Sequence, residues 1–173
     1  MKAWVSVLEA SYILFLLQPH HRNFNKRLVK RPKLYFFDTG LCCSLLRIEN
    51  PQQLNNHYLK GSLFENLILS EFLKRRYNQG LASNMYFWRD HRGMEVDLII
   101  EHADGLIPVE IKSSRTWSQE FFTNLEKWNG WSGNKHENSH VIYGGDKSIQ
   151  TSSGILHSWQ SLDFISCERD VNS

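Results

Sequence analysis

Apolar residues recur at helical spacing in some stretches of the chain and alternate with polar residues in others. The clearest helix is predicted over 60–77, where one apolar stripe comprises Leu63, Phe64, Leu67, Ile68, Phe72 and Leu73. Shorter helices are predicted over 2–10, after a cap at Asp38 or Thr39, and over 118–128, where Ser118 is a suitable N-cap.

Stretches rich in strand-forming residues lie between these helices. They predict strands over 12–17, 27–37, 85–88, 95–101, 106–112 and 141–143. The turn at 103–105 is short enough to join its neighbouring strands as an antiparallel hairpin. The polar, Pro-containing segment 50–56 is expected to be a linker. The order of elements predicts an α/β fold, a mixed sheet flanked by helices.

The first fifty residues differ in pattern from the rest. A helix followed by two strands and a basic turn resembles the wing of a winged-helix unit, although its earlier helices are not visible. The sequence thus predicts a partial winged-helix-like segment over 1–50 and an α/β domain over 57–165.

Composition narrows the class of protein. Of the 173 residues, 41% are hydrophobic and 22% are charged, which is typical of a globular chain. Cys42, Cys43 and Cys167 form no CxxC pair and are expected to be free thiols in a reducing cytoplasm. No apolar stretch reaches the ~20 residues of a membrane span. We therefore expect a cytoplasmic protein with neither a membrane segment nor secretion.

Positive charge is concentrated near the beginning of the chain. Residues 1–33 carry seven Lys/Arg against one acid, whereas the net charge of the whole chain is only +2. Clustered charge of this kind suits phosphate binding, and the candidate nucleic-acid contacts are Arg22, Lys26, Arg27 and Lys30. A solvated basic hairpin explains the same pattern, and both interpretations stay open.

Four charged residues lie on the predicted hairpin as two pairs, and the members of each pair share one face of their strand. Because side chains alternate along a strand, Glu95 and Asp97 lie on one face, as do Glu110 and Lys112. A lone Glu-x-Lys usually marks a solvated strand. Asp97 on the paired strand, together with Glu65 at the edge of the helical stripe, favours a shared site instead.

Apolar neighbours make these charges costly unless something compensates them. The residues expected to face away from the charges are Val96, Val109 and Ile111. Mg²⁺ or Mn²⁺ would compensate carboxylates, because hard cations prefer oxygen ligands and are often held by few of them plus a phosphate. Lys112 could then orient water or stabilise charge that develops on a phosphate.

Three neighbours are candidates for supporting roles, as is Glu95, which either supports the site or faces solvent. Arg89 could contact phosphate or form an ion pair with a nearby acid. Ser113 and Ser114 could hydrogen-bond to phosphate or to the backbone.

At these motifs the sequence resembles a known family. The runs KGSLFENLILSEF, FWRDHRGMEVDLII and LIPVEIKSS resemble the PD-(D/E)xK restriction-endonuclease-like superfamily. With RPKLYFFDTGL, they resemble more closely the DUF4143 region at the C-terminus of many prokaryotic AAA-type ATP-binding proteins. The resemblance covers residues 3–163.

The resemblance implies a restriction-endonuclease-like fold and a division of roles. Glu65, Asp97 and Glu110 would hold Mg²⁺ or Mn²⁺, and Lys112 would assist catalysis. Val96 replaces the superfamily's frequent Pro, and the chain lacks the GxxxxGK[ST] phosphate loop, so no ATP site is expected in it.

Three functional hypotheses follow. The chain is a metal-dependent nuclease acting on DNA, or a non-catalytic module that binds nucleic acid or docks a partner. Alternatively it is a fragment of a split AAA-type ATPase, which makes an ATPase domain or protein a candidate partner.

Overall fold

A computed structural model describes residues 2–22, 24, 26–103 and 105–162 of the chain, which fold into helices and strands. The helices are α1 (Lys2–Ala10), α2 (Thr39–Leu45), α3 (Pro51–Asn56), α4 (Lys60–Asn78) and α5 (Thr123–Ser132). The strands are β1 (Leu14–Pro19), β2 (Lys33–Phe36), β3 (Met85–Arg89), β4 (Glu95–His102), β5 (Gly105–Lys112), β6 (His140–Tyr143), β7 (Ile149–Thr151) and β8 (Gly154–Ser158).

All the named strands belong to one mixed sheet, with the order β2-β1-β3-β4-β5-β6-β8-β7. The predicted hairpin is confirmed, since β4 pairs antiparallel with β5. Strand β6 runs parallel to both β5 and β8. The α/β class and the mixed sheet predicted from the sequence are therefore confirmed.

The sheet separates two hydrophobic clusters. One packs α4 against the sheet through Ile68, Leu69, Phe72 and Leu73. The other packs α5 and the 3-10 turn before it through Phe122, Leu125 and Trp128. Each of these side chains is at most 2% exposed, so each contributes about 1.5–3 kcal/mol by leaving water.

The N-terminal ribbon joins the same sheet. Strand β1 pairs antiparallel with β2 and parallel with β3, so residues predicted as a winged-helix wing extend the α/β sheet. The division into segments 1–50 and 57–165 stays a prediction. The predicted strand 27–37 was too long, because β2 begins only at Lys33.

Several local signals were confirmed and others were missed. Asp38 caps α2 as predicted, its side chain accepting the Gly40 N–H at 2.7 Å. The expected linker 50–56 was wrong, because Asn50 caps a short helix with Pro51 in its first turn. Strands β7 and β8 were not predicted.

Cys42 and Cys43 are free, partly buried thiols, whereas Cys167 lies outside the described residues. Within the part of the chain that the structure describes, none of the helices has the length and apolar character needed to cross a membrane.

Candidate metal centre

The site begins where β4 and β5 separate. Their last paired residues are Leu98 and Val109, and beyond them Asp97 Oδ2 accepts the backbone N–H of Ile111 at 2.9 Å. The carboxylate thus satisfies a backbone donor that the β4 main chain no longer reaches. This places Asp97 in the fork between the two strands.

A bulge in β4 sets the direction of Asp97. Trp88 pairs with Val96, but Tyr86 pairs with Ile99, so β4 has one more residue than β3 across this interval. Bulges of this kind re-aim side chains and are frequent beside active sites. Strict alternation fails here as a result.

The expected shared face of Val96, Val109 and Ile111 was therefore wrong. Val96 packs in the cluster under α5, whereas Val109 and Ile111 pack in the cluster under α4. One extra residue in a strand exchanges the faces of all the residues beyond it.

Asp97, Glu110 and Lys112 form a tight group. Lys112 Nζ lies 2.7 Å from Glu110 Oε2 and 4.0 Å from Asp97 Oδ2. The Glu110 side chain is 1% exposed and that of Asp97 is 15% exposed. Burial, then the charge of Glu110 and a hydrogen bond to it, raise the pKa of Asp97 well above its ordinary value. Burial alone would lower the pKa of Lys112, but Glu110 and Asp97 outweigh it and the pKa is raised.

A second group lies beside the first, around Glu65 on α4. Lys33 Nζ is 2.6 Å from Glu65 Oε1 and 2.6 Å from Glu95 Oε1. The Tyr35 hydroxyl donates to the same oxygen of Glu65. Burial and the Glu65 carboxylate raise the pKa of Tyr35, so this hydroxyl keeps its proton. Burial alone would lower the pKa of Lys33, but the carboxylates of Glu65 and Glu95 outweigh this effect and the pKa is raised.

Asn66 fixes the edge strand against α4. Its side chain accepts the Phe36 N–H at 2.7 Å and donates to the Phe36 carbonyl at 3.0 Å and to Thr39 Oγ1 at 2.8 Å. Asn66 is only 5% exposed. It therefore ties β2, which carries Lys33 and Tyr35, to the helix residue that follows Glu65.

Three carboxylates converge closely enough to hold a cation. Oxygen atoms of Glu65, Glu95 and Asp97 all lie within 4.8 Å of one another. Glu110 stands outside this trio but adjoins it through Asp97. Its buried Oε1 has no hydrogen-bond partner, so it is an available oxygen ligand. The all-oxygen donor set fits Mg²⁺ or Mn²⁺.

Most of the basic stretch lies away from these acids. The Arg22 carbonyl accepts the Trp88 indole N–H at 3.0 Å, and Lys26 Nζ sits 4.2 Å from the centre of the Trp131 ring, beside the α5 cluster. The Arg27 carbonyl accepts the His91 N–H, and Lys30 is exposed. No contact among the described residues joins these four to Asp97 or Glu110, and their role in nucleic-acid binding stays a prediction.

Arg89 does reach the site. Its Nε lies 3.5 Å from Glu95 Oε2, as expected for the ion-pair interpretation. Ser114 forms a local turn, since its hydroxyl donates to the Thr116 carbonyl at 2.7 Å and accepts the Thr116 N–H at 3.2 Å. Ser113 lines a neighbouring cleft described below.

Lys33, Tyr35 and Asn66 were missed as site residues. Lys33 and Tyr35 are two positions apart on a predicted strand, which places them on one face and was the signal available. Asn66 gives no such signal, because a polar residue next to Glu65 on a helix is ordinary.

Two family models match the chain, and both describe domains of unknown function. DUF4143 covers residues 60–162, which include α4 and every strand from β3 to β8, and DUF8612 covers residues 1–52. No solved structure matches.

Two curated relatives are described as uncharacterised proteins, one from Mycobacterium bovis and one from Mycobacterium tuberculosis. Each is 29% identical over 116 residues, which is 66% of this chain and 25% of the relative. The chain thus spans about a quarter of the length of these relatives. Since the DUF4143 model covers more than half of its residues, the chain belongs to the DUF4143 family.

Proposed function

We propose that the chain is a metal-dependent nuclease-like module that hydrolyses phosphodiester bonds in DNA. The carrying observation is the pair formed by the buried Glu110 and the partly buried Asp97, with the Lys112 ammonium 2.7 Å from Glu110 and 4.0 Å from Asp97. Paired carboxylates and a lysine in a strand fork favour phosphoryl chemistry over a surface ion pair. The restriction-endonuclease-like fold belongs to the same proposal.

The residues divide the work as follows. Glu65, Asp97 and Glu110 would hold Mg²⁺ or Mn²⁺, with Glu95 as an additional ligand. The bound ion would polarise the phosphate and lower the pKa of an attacking water. Lys112, held between two acids, is positioned to hydrogen-bond that water or a phosphoryl oxygen. Lys33 and Tyr35 orient Glu65.

DNA as the substrate rests on the family resemblance and on the charge of the chain. The segment 20–33 carries six Lys/Arg and no acid, which suits the DNA backbone. An AAA-type ATPase domain or protein as the partner is a proposal with the same origin.

Plasmid DNA and a labelled single-stranded oligonucleotide, each incubated with Mg²⁺ or Mn²⁺, test the proposal. We expect cleavage that requires the metal and that falls about a hundredfold or more in Asp97→Asn and in Lys112→Met. Lys74→Met is the matched control, because Lys74 pairs with Glu71 at 3.0 Å on α4, outside the site. Cleavage that persists unchanged in Asp97→Asn and Lys112→Met would falsify the catalytic assignment.

One observation favours a second candidate, a non-catalytic module that binds nucleic acid. Lys33 already neutralises charge on Glu65 and Glu95, so these acids are compensated without a metal. Calorimetric titration with Mn²⁺ separates the candidates. Binding in the wild type that is lost in Asp97→Asn supports the nuclease, whereas salt-dependent DNA binding with no metal binding supports the second candidate.

A further inference from the structure

A cleft of about 380 Å³ lies next to the acidic site, at the start of α4. Its lining includes Phe64 and Ser113, which are the neighbours in sequence of Glu65 and Lys112. The other side is formed by the turn after β6 and by Trp159, after β8. We call it the Trp159 cleft. A ligand in this cleft would therefore lie beside the segments of α4 and β5 that carry Glu65 and Lys112.

The charge of the Trp159 cleft suits an anion. Lys60 and Arg115 line it, and Asp146 is the one acid among its lining residues. Among the ion pairs of the described residues, none includes Lys60 or Arg115. Two cations without an acidic partner beside a cleft can bind phosphate oxygens.

Trp159 gives the cleft an aromatic wall. Its side chain is 37% exposed, and its ring meets Phe64 edge-on with the centroids 6.4 Å apart. Its backbone N–H donates to the Tyr143 carbonyl at 3.1 Å. The indole is thus anchored at its base and partly open to solvent, which is the arrangement of a base-stacking platform.

The floor of the cleft is tied to Lys112. The Gly144 N–H donates to the carbonyls of Lys112 and Ser114, each at 3.0 Å. A Cβ on Gly144 would lie 2.8 Å from the Ser113 carbonyl oxygen, so only glycine permits this close approach. The position of the cleft relative to Lys112 is therefore fixed by the backbone.

We propose that the Trp159 cleft binds one nucleotide of a single strand of nucleic acid, next to the bond that the acidic site cleaves. This inference rests on the proposed function. Trp159 stacks on the base, and Lys60 and Arg115 bind the flanking phosphates. A single strand is required because the faces of a base within a duplex are covered by its neighbours.

Fluorescence anisotropy with a short labelled oligo(dT), in EDTA so that no cleavage occurs, tests the inference. We expect Trp159→Ala to weaken binding about 5- to 100-fold, the effect of losing one stacked base. Trp159→Phe should recover most of the affinity because it keeps a ring. Arg115→Gln, at an exposed position, should weaken binding and lower its salt dependence by about one ion.

Matched controls lie elsewhere on the surface. Trp4 is 75% exposed on α1, and Lys127 is exposed on α5, across the sheet. Trp4→Ala and Lys127→Gln should leave oligo(dT) binding unchanged. Wild-type affinity in both Trp159→Ala and Arg115→Gln would overturn the inference. So would a duplex that binds more tightly than oligo(dT) and loses the same affinity in these two variants.

The two proposals fail separately. If Asp97→Asn abolishes cleavage while the cleft variants bind oligo(dT) normally, the nuclease stands and the cleft assignment is wrong. If the cleft variants lose binding while the wild type cleaves nothing with any metal, the binding site stands and the nuclease is wrong.

Discussion

At the scale of single residues, the candidate site is organised as two lysines, each between two acids. Lys33 contacts Glu65 and Glu95, and Lys112 contacts Glu110 and lies near Asp97. With every group ionised, the four acids and two lysines carry a net charge of −2, of which Arg89 beside Glu95 offsets one. Burial first, and then the charge of Glu110, raise the pKa of Asp97, and a proton there would relieve part of the remaining negative charge.

Lys33→Met tests whether Lys33 and a metal share the same oxygens. Without metal we expect a loss of about 1–2 kcal/mol, because the half-buried Glu65 and Glu95 would repel each other. Mn²⁺ should restore that loss, so its effect on Tm should be larger in the variant than in the wild type.

Differential scanning fluorimetry with and without Mn²⁺ measures both effects. Lys30→Met is the control, since Lys30 is exposed in the same basic stretch. If Mn²⁺ raised the Tm of Lys33→Met and of the wild type equally, Lys33 would not compete with the ion.

The sequence predicts the acids of the site better than their partners. Glu65, Asp97, Glu110 and Lys112 follow from spacing on a helix and a hairpin, which are local patterns. The contact of Lys33 with Glu65 spans 32 residues and depends on how β2 docks on α4. No local pattern encodes that docking, which Asn66 fixes through Phe36.

At the scale of elements, the bulge in β4 is the feature that periodicity could not predict. The run Glu95–Ile100 contains both an alternating and a continuous apolar pattern, and either one permits a regular strand. The extra residue is visible only in the pairing of β4 with β3. Strands β7 and β8 were missed because their sequences, IQT and GILHS, hold few apolar residues and no alternating pattern.

The turn after β6 controls the end of β5, and Gly144→Ala tests this. The new methyl group would meet the Ser113 carbonyl at 2.8 Å, so we expect a loss of about 1–3 kcal/mol. Because the clash displaces the residue after Lys112, the rate of cleavage should fall by more than the loss of folded protein explains.

Urea unfolding measures the loss, and Gly130→Ala is its counterpart. Gly130 lies within α5, and a Cβ there meets nothing within 4 Å. That substitution should stabilise the protein by about 0.5–1 kcal/mol, because alanine is the better helix former. A stable Gly144→Ala variant would mean that the Ser113–Ser114 segment yields without cost.

At the scale of the whole molecule, one sheet joins the N-terminal ribbon, the acidic site and the β6–β8 edge. The acidic site lies near the middle of the sheet, where α4 and β2 meet β4 and β5. The parallel strands β6 and β8 follow β5 in the sheet and carry a different polar pair. There His140 Nδ1 and His157 Nε2 are 2.8 Å apart, with their rings stacked at 5.1 Å.

This histidine pair makes the stability of the sheet depend on pH. Burial, and for His140 also the charge of His157, lowers the pKa of each ring to about 4, against 6.5 in the unfolded chain. Between these two pKa values the histidines are protonated in the unfolded chain but stay neutral in the folded chain. The contribution of the pair to the free energy of unfolding is therefore largest above about pH 6.5 and falls as the pH drops toward 4.

His157→Gln should reduce this pH dependence. Each histidine contributes at most about 1.4 kcal/mol per pH unit, so the variant should lose less stability than the wild type between about pH 7 and about pH 5. Urea midpoints at both pH values measure the difference, and His136→Gln at an exposed position should keep the wild-type slope. An unchanged slope in His157→Gln would mean that His157 takes up a proton as readily in the folded chain as in the unfolded chain, and that the stacked pair does not exclude the proton.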